Sequence, residues 1–413
     1  MNLPLSPDRL WDRLMEMAAI GPIPGGGNNR QALSALDGEA RRLLQRWGEQ
    51  IGLTVTTDRL GNMALRREGR DPARKPVLVG SHLDTQPTGG KFDGPYGVLA
   101  GLEILHALQE SGTVTEAPII LVNWTGEEGS RFSPSMIGCA GAMGILAEAD
   151  VLDRRAHDDG ERYGDALKAT GWDGTAEPAL LADAAAYFEA HIEQGPVLER
   201  EGYDIGIVTG GFATERALVT VTGETSHAGT TPMEMRRDAL AGTAEMMVAA
   251  EAILHRIAPE GRMTVCRFMV DPGADGVVPG EVRFSLDYRH PSNATLNQLL
   301  SEADAAFAAI AARRKLSVIR EPYWTFRAIV FDQGLGDTLR AAAERRGARY
   351  RDMLSGAGHD AYHAAARMPA VMLFIPCHGG VSHHPSESIS REWSEKGLRV
   401  LAEAVIATAN SKD

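Results

Sequence analysis

Hydrophobic and polar positions fall into two textures along the chain. In the first half, short and wholly apolar runs alternate with stretches of helical period. Pro76-Val77-Leu78-Val79-Gly80 predicts a buried strand, residues 98–108 carry apolar side chains at helical spacing, and Pro118-Ile119-Ile120-Leu121-Val122 predicts another strand. Apolar strands separated by helices predict an α/β fold, a mixed, mostly parallel sheet sandwiched by helices. The pattern changes near Gly210-Gly211. Residues 217–222 alternate in part, a helical pattern spans 233–257, and strands are predicted at 263–269 and 282–288. A second helix at 293–313 and a strand at 316–320 complete the order β-α-β-β-α-β. That order predicts an inserted ferredoxin-like α+β unit. After Phe331 the first texture returns, with a buried strand at 371–375. The expected organisation is a discontinuous catalytic domain, 1–211 with 328–413, interrupted by an insert at 212–327. Ser6 before Pro7 is the expected cap of a first helix.

Composition narrows the class. A chain of 413 residues exceeds what one core usually serves. Forty-two basic against fifty-five acidic residues give a formal charge of −13, and no basic block interrupts that balance. A nucleic-acid or anionic-membrane surface is therefore not expected, and a small molecule is the expected partner. No run approaches the ~20 apolar residues of a bilayer span, and the first residues lack the layout of a secretory signal. Cys139, Cys266 and Cys377 are far apart and form no CxxC pair. Reduced thiols and a cytoplasmic setting are the expectation.

Candidate chemistry collects where the apolar runs end. His82, Asp93, Glu127-Glu128, His191 and His383-His384 all lie at or just past such ends, where ligands gather in open α/β sheets. Imidazole and carboxylate without thiolate suit zinc, manganese, cobalt or nickel. One carboxylate can bridge two ions roughly 3.5–4 Å apart. Asp84, two residues after His82, is expected on the same side of an extended chain, accepting the second imidazole N–H. Gly89, Gly90 and Gly94 allow the loop to return Asp93 to the site. Adjacent glutamates serve one site only at a turn, and Gly126 and Gly129 flank Glu127-Glu128 to permit one. One glutamate is then a ligand and the other a general base.

Seven segments carry a family likeness: GSHLDTQPTGGKFDG, WTGEEGSRF, EAHIEQGPVLE, VTGETSHAGTTPM, VPGEVRFSLDYRH, SGAGHDA and SHHPSE. In this order they resemble the N-carbamoyl-L-amino-acid hydrolase group of the M20 dinuclear-metal peptidase superfamily, which includes β-ureidopropionase and allantoate amidohydrolase. The resemblance implies two divalent ions per subunit. His82, Asp93 and His191 would hold one, Asp93, Glu128 and His383 the other, and Glu127 would be the general base. It further implies an inserted domain that acts as lid and homodimer interface. His227 would polarise the scissile carbonyl, Arg289 would clamp the substrate carboxylate, and Gln194, Gly356 and Ala357 would contact substrate. The implied reaction is hydrolysis of a linear ureido or related amide C–N bond of a small carboxylate. An N-acyl-amino-acid deacylase or dipeptidase with the same metal site is the alternative. The chain departs from the pattern at Gly276, where an asparagine is usual, at the hinge run Gly211-Phe212-Ala213-Thr214-Glu215-Arg216, and at Gly126. These departures touch substrate contacts and leave the metal chemistry alone.

Overall fold

The computed structural model describes residues 3–411. The chain divides into two compact units, one containing residues up to Gly210 and from Val330 onward, the other Gly211–Ile329. The first unit is built on a mixed sheet. Its spatial order is Thr54–Thr57, Met63–Arg67, Ile119–Trp124, Val77–His82, Ala186–Ile192, Ala370–Ile375 and Ile205–Gly211, with Tyr350–Ser355 paired to the last. The four central strands, Ile119–Trp124 to Ala370–Ile375, are mutually parallel. Every residue in these four is buried, the condition of a parallel sheet covered on both faces. Their carboxyl ends therefore open at one side of the sheet.

Helix Pro95–Glu110 runs back from that side and is almost wholly buried. Its Glu103 accepts two bonds at 2.7 Å from Arg9 and one at 2.8 Å from the Ser6 amide, tying helix Pro7–Ala18 to the sheet layer. Ser6 caps that helix through the Arg9 amide, as its sequence suggests. The strand expected at 76–80 runs on through His82, which pairs with Trp124. His82 is thus the final strand residue rather than a loop residue.

The second unit has a four-stranded antiparallel sheet ordered Ser317–Phe326, Ala213–Thr222, Glu281–His290, Arg262–Asp271. In chain order this is 4-1-3-2, the ferredoxin-like arrangement. Alternation along EVRFSLDYRH sends Val282, Phe284, Leu286 and Tyr288 into a core with Met246 and Phe307 of helices Ala239–Ile257 and Asn293–Arg314. Arg283, Asp287 and Arg289 occupy the opposite face. Two elements differ from expectation. The last strand extends to Phe326, because Glu321 and Pro322 are accommodated at an edge with a bulge near Pro322/Trp324. Helical structure at the predicted start is a single 3-10 turn, Met233–Met235, and the α-helix begins at Ala239, where the Asp238 side chain caps it through the Ala241 amide at 2.9 Å. No helix among the described residues is long and apolar enough to cross a membrane.

Candidate metal centre

Each of the four parallel strands delivers a group to one place. His82 ends Val77–His82 and His191 is the penultimate residue of Ala186–Ile192. Glu127 and Glu128 follow Ile119–Trp124, and His383 follows Ala370–Ile375. Asp93 arrives on the loop after His82. Its Oδ1 lies 3.1 Å from His191 Nε2 and 3.7 Å from His82 Nε2. Its Oδ2 lies 3.4 Å from His383 Nε2, which is itself 3.4 Å from Glu128 Oε2. Two triads result, His82–Asp93–His191 and Asp93–Glu128–His383, each with donor atoms within 4.8 Å of one another. One carboxylate faces both, an oxygen to each. Glu127 Oε2 sits 3.6 Å from His82 Nε2. Of the adjacent histidines, His383 turns inward through a left-handed backbone (φ 54°), while His384 Nδ1 bonds to Ser386.

The backbone is shaped for this convergence. Gly94 has φ 84°, and a Cβ there would stand 2.4–2.6 Å from three atoms of the His82 ring. Only glycine permits both the conformation and the contact. Gly126 and Gly129 have φ 72° and 65°, giving the turn that lets both glutamates serve one site.

Asp84 corrects the sequence expectation. His82 Nδ1 donates to the main-chain oxygen of Asp84 at 2.9 Å, while the Asp84 carboxylate is 3.8 Å from that nitrogen. The chain leaves extended geometry after His82, so the period-two rule no longer applies there. The carboxylate instead accepts the Glu127 and Glu128 amides at 3.2 Å each. Asp84 therefore fixes the glutamate turn with its side chain and the His82 ring with its main chain. Burial foremost pushes the Asp84 carboxyl up to about 7, with these amides opposing.

Three further groups, Glu387, Ser382 and Gln86, lie within the family-like segments without a role legible in the sequence. Glu387 is buried and accepts the Phe92 and Asp93 amides at 2.9 and 3.0 Å. Ser382 Oγ donates to Asp93 Oδ2 at 2.8 Å. Gln86 donates to Glu128 through its main chain at 3.0 Å and its side chain at 2.7 Å. Gln194, expected near the metals as a substrate contact, donates its side-chain amide to Asp93 Oδ2 at 2.7 Å. The expected substrate residues Gly356 and Ala357 follow Tyr350–Ser355, where Ala357 N–H donates to Ser355 Oγ at 3.1 Å. His359, two residues on, packs edge-on against the His191 ring, centroids 4.5 Å apart.

The donor set fits divalent cations. His82 Nδ1 and His191 Nδ1 both donate to main-chain oxygens, Asp84 and Ile192, so Nε2 is the nitrogen each ring aims inward and the one that would ligate an ion. His191 Nε2 is fully buried with no well-aligned hydrogen-bond partner. Asp84, Asp93, Glu127 and Glu128 are buried together, and among the described residues neither Glu127 nor Glu128 has an arginine or lysine partner within salt-bridge reach. Burial, then the carboxylates of Asp360, Glu128, Asp84 and Asp93, drives Glu127 well above its ordinary range. Burial and then Asp93 push Glu128 up to about 8. Burial opposes charge on His191 and His383, yet Asp93 outweighs it and pushes both up to about 9. Divalent ions would relieve this crowding of negative charge.

The profile of Peptidase family M20/M25/M40 matches residues 78–407. The chain belongs to that family. This M20 chain is 43% identical over 411 residues to the N-carbamoyl-L-amino-acid amidohydrolase of Rhizobium meliloti, with 99% of this chain and 98% of the relative covered. It is 33% identical over 401 residues to the allantoate amidohydrolase of Bacillus subtilis, with 97% of each covered. Its fold matches the crystal structure of an amidase of the hydantoinase/carbamoylase family from Burkholderia multivorans with a TM-score of 0.91 at 42% identity, covering 98% of each chain.

The two remaining expected residues lie in the second unit of the M20 chain. Arg289 places Nε and Nη2 on Asp287, both at 2.9 Å, and Arg216 Nε reaches the same carboxylate at 2.8 Å. Burial acts to raise Asp287, but the two guanidiniums hold it below its usual range. His227 ends a two-residue strand paired with Val277–Val278.

Proposed function

We propose that this M20 chain is a dinuclear-metal amidohydrolase that cleaves the ureido C–N bond of a small carboxylate such as an N-carbamoyl amino acid. The observation that carries the reading is Asp93, whose two oxygens face two separate ligand triads. His82, Asp93 and His191 would hold one ion, and Asp93, Glu128 and His383 the other. A bound pair of divalent ions, with zinc, manganese, cobalt and nickel as candidates, supplies Lewis acidity and a water that loses its proton near neutral pH. Glu127 takes that proton as the nucleophile attacks the carbonyl carbon, then returns it to the leaving nitrogen. Burial among like charges raises Glu127, and bound cations would offset those charges and leave its carboxylate free to take the proton. The bond between carbonyl carbon and amino-acid nitrogen breaks. The carbamate released falls to carbon dioxide and ammonia, with one water consumed overall.

His227 polarises the carbonyl oxygen and Arg289 receives the substrate carboxylate, a task suited to a planar, multidentate guanidinium. Gln194, Gly356 and Ala357 complete the substrate contacts. The second unit serves as lid and homodimer interface, and His227 acts in the site of the partner subunit. Three free cysteines accord with a reducing, cytoplasmic setting.

A panel of N-carbamoyl, N-formyl, N-acyl and dipeptide substrates, run on protein reconstituted with each candidate metal, tests the reading. Turnover confined to ureido substrates supports it. Preference for N-acyl amino acids or dipeptides would replace it with the deacylase or dipeptidase alternative.

A further inference from the structure

The second unit holds the His227 ring with its own backbone. Ser226–His227 pairs antiparallel with Val277–Val278, placing His227 opposite Val277. The chain then turns back on the imidazole. The main-chain N–H groups of Gly229 and Thr230 both donate to His227 Nδ1, at 3.0 and 3.2 Å. The His227 carbonyl accepts the Thr231 amide at 3.1 Å, and the Ala228 amide donates to the Gly276 carbonyl at 2.8 Å. Arg236 straps the loop from outside, its Nε donating to Thr231 O at 3.0 Å and its Nη2 to Ala228 O. Gly229 lies against the ring. A Cβ there would stand 3.3 Å from Cε1 and 3.5 Å from Nδ1.

A neutral imidazole has one nitrogen that donates and one that accepts. Two backbone N–H groups aimed at Nδ1 make that nitrogen the acceptor, so the proton resides on Nε2. A proton on Nδ1 would forfeit both bonds and face two donors. The opposite tautomer would also turn a lone pair, not an N–H, toward any oxygen brought to Nε2. We propose that residues 227–231, strapped by Arg236, are a holder that fixes His227 as the Nε2–H tautomer and so presents a preoriented neutral donor to the substrate carbonyl. Arg236 is then a positioning residue for the reaction. The inference rests on the reading of His227 as the carbonyl-polarising group. Its physical advantage is that the donor needs no reorganisation as charge develops on the oxygen.

The test begins without any variant of the holder. Full-length protein labelled with ¹⁵N-histidine is examined by NMR at pH 8, the His227 signals being identified by their loss in His227→Asn. The expected result is a protonated Nε2 and an unprotonated Nδ1. A protonated Nδ1, in either the other tautomer or the imidazolium, overturns the proposal. Arg236→Ala is expected to lower kcat about tenfold while KM stays within about twofold, since small misplacement of a catalytic donor acts on the transition state. Arg236→Lys, able to reach a carbonyl with one of its donors, should recover part of the loss. Gly229→Ala keeps its N–H but crowds Cε1, so kcat should fall with the tautomer unchanged. An unaltered kcat in both Arg236→Ala and Gly229→Ala would overturn the positioning role. If the tautomer is as stated but His227→Asn turns over normally, the holder stands and the carbonyl-polarising role of His227 fails instead.

Discussion

Asp84 is the residue on which the site's geometry can be probed with least disturbance. It belongs to neither ligand triad, and its carboxylate takes the Glu127 and Glu128 amides at 3.2 Å each. Asp84→Asn preserves shape and the main-chain bond to His82, but sets an NH2 group against one of those amides. One buried N–H then loses its acceptor, at about 1–3 kcal/mol. Outer partners of metal ligands typically govern affinity by about 10–100-fold, or roughly 1.4–2.7 kcal/mol. The two estimates converge near ~2 kcal/mol, so metal affinity should weaken on the order of thirtyfold. Asp84→Ala strands both amides and should cost about twice as much. The measurement is chelator-competition titration at pH 8.5, above the Asp84 value of about 7, so that the wild-type carboxylate is ionised. Affinities for both variants within about twofold of wild type would refute the claim that Asp84 organises the glutamate turn.

Other perturbations separate roles within the site. Glu127→Gln should lower kcat by about 10²–10⁴ with metal content unchanged, measured by steady-state kinetics and metal analysis; loss of metal would mean that Glu127 and Glu128 have been assigned in reverse. Gly94→Ala drives a methyl into the His82 ring at a positive φ and should destabilise the protein by about 2–4 kcal/mol in denaturant unfolding. Metal affinity should rise with pH between 6 and 8. His191 and His383 hold protons up to about 9 without metal, cations must displace those protons, and the apparent constant should change about tenfold per pH unit for each one released. A flat profile in chelator competition would contradict the placement of both rings against Asp93.

Much of the site was legible because its ligands obey two simple rules. Buried parallel strands read as unbroken apolar runs, and their carboxyl ends are where ligands gather, which singled out His82, Glu127-Glu128, His191 and His383. Glycines beside Asp93 and the glutamates announced the turns. Glu387, Ser382 and Gln86 were not legible, because a polar residue in a loop shows its burial only after distant segments pack. Glu387 reaches the Phe92 and Asp93 amides from nearly three hundred positions away. The role of Asp84 was misread because alternation was carried past the end of the strand. In the second unit the pattern gave strand and helix order, but Pro322 hid half of the last strand. Asp287 is two residues before Arg289 on one strand face, but the approach of Arg216 to that carboxylate required the register of two strands.

Anomalous diffraction from crystals grown with manganese or zinc tests the central claim most directly. The account predicts two peaks per chain, roughly 3.5–4 Å apart, one on each oxygen of Asp93, with His82 and His191 at one and Glu128 and His383 at the other. A single peak, or two peaks that do not share Asp93, would contradict it.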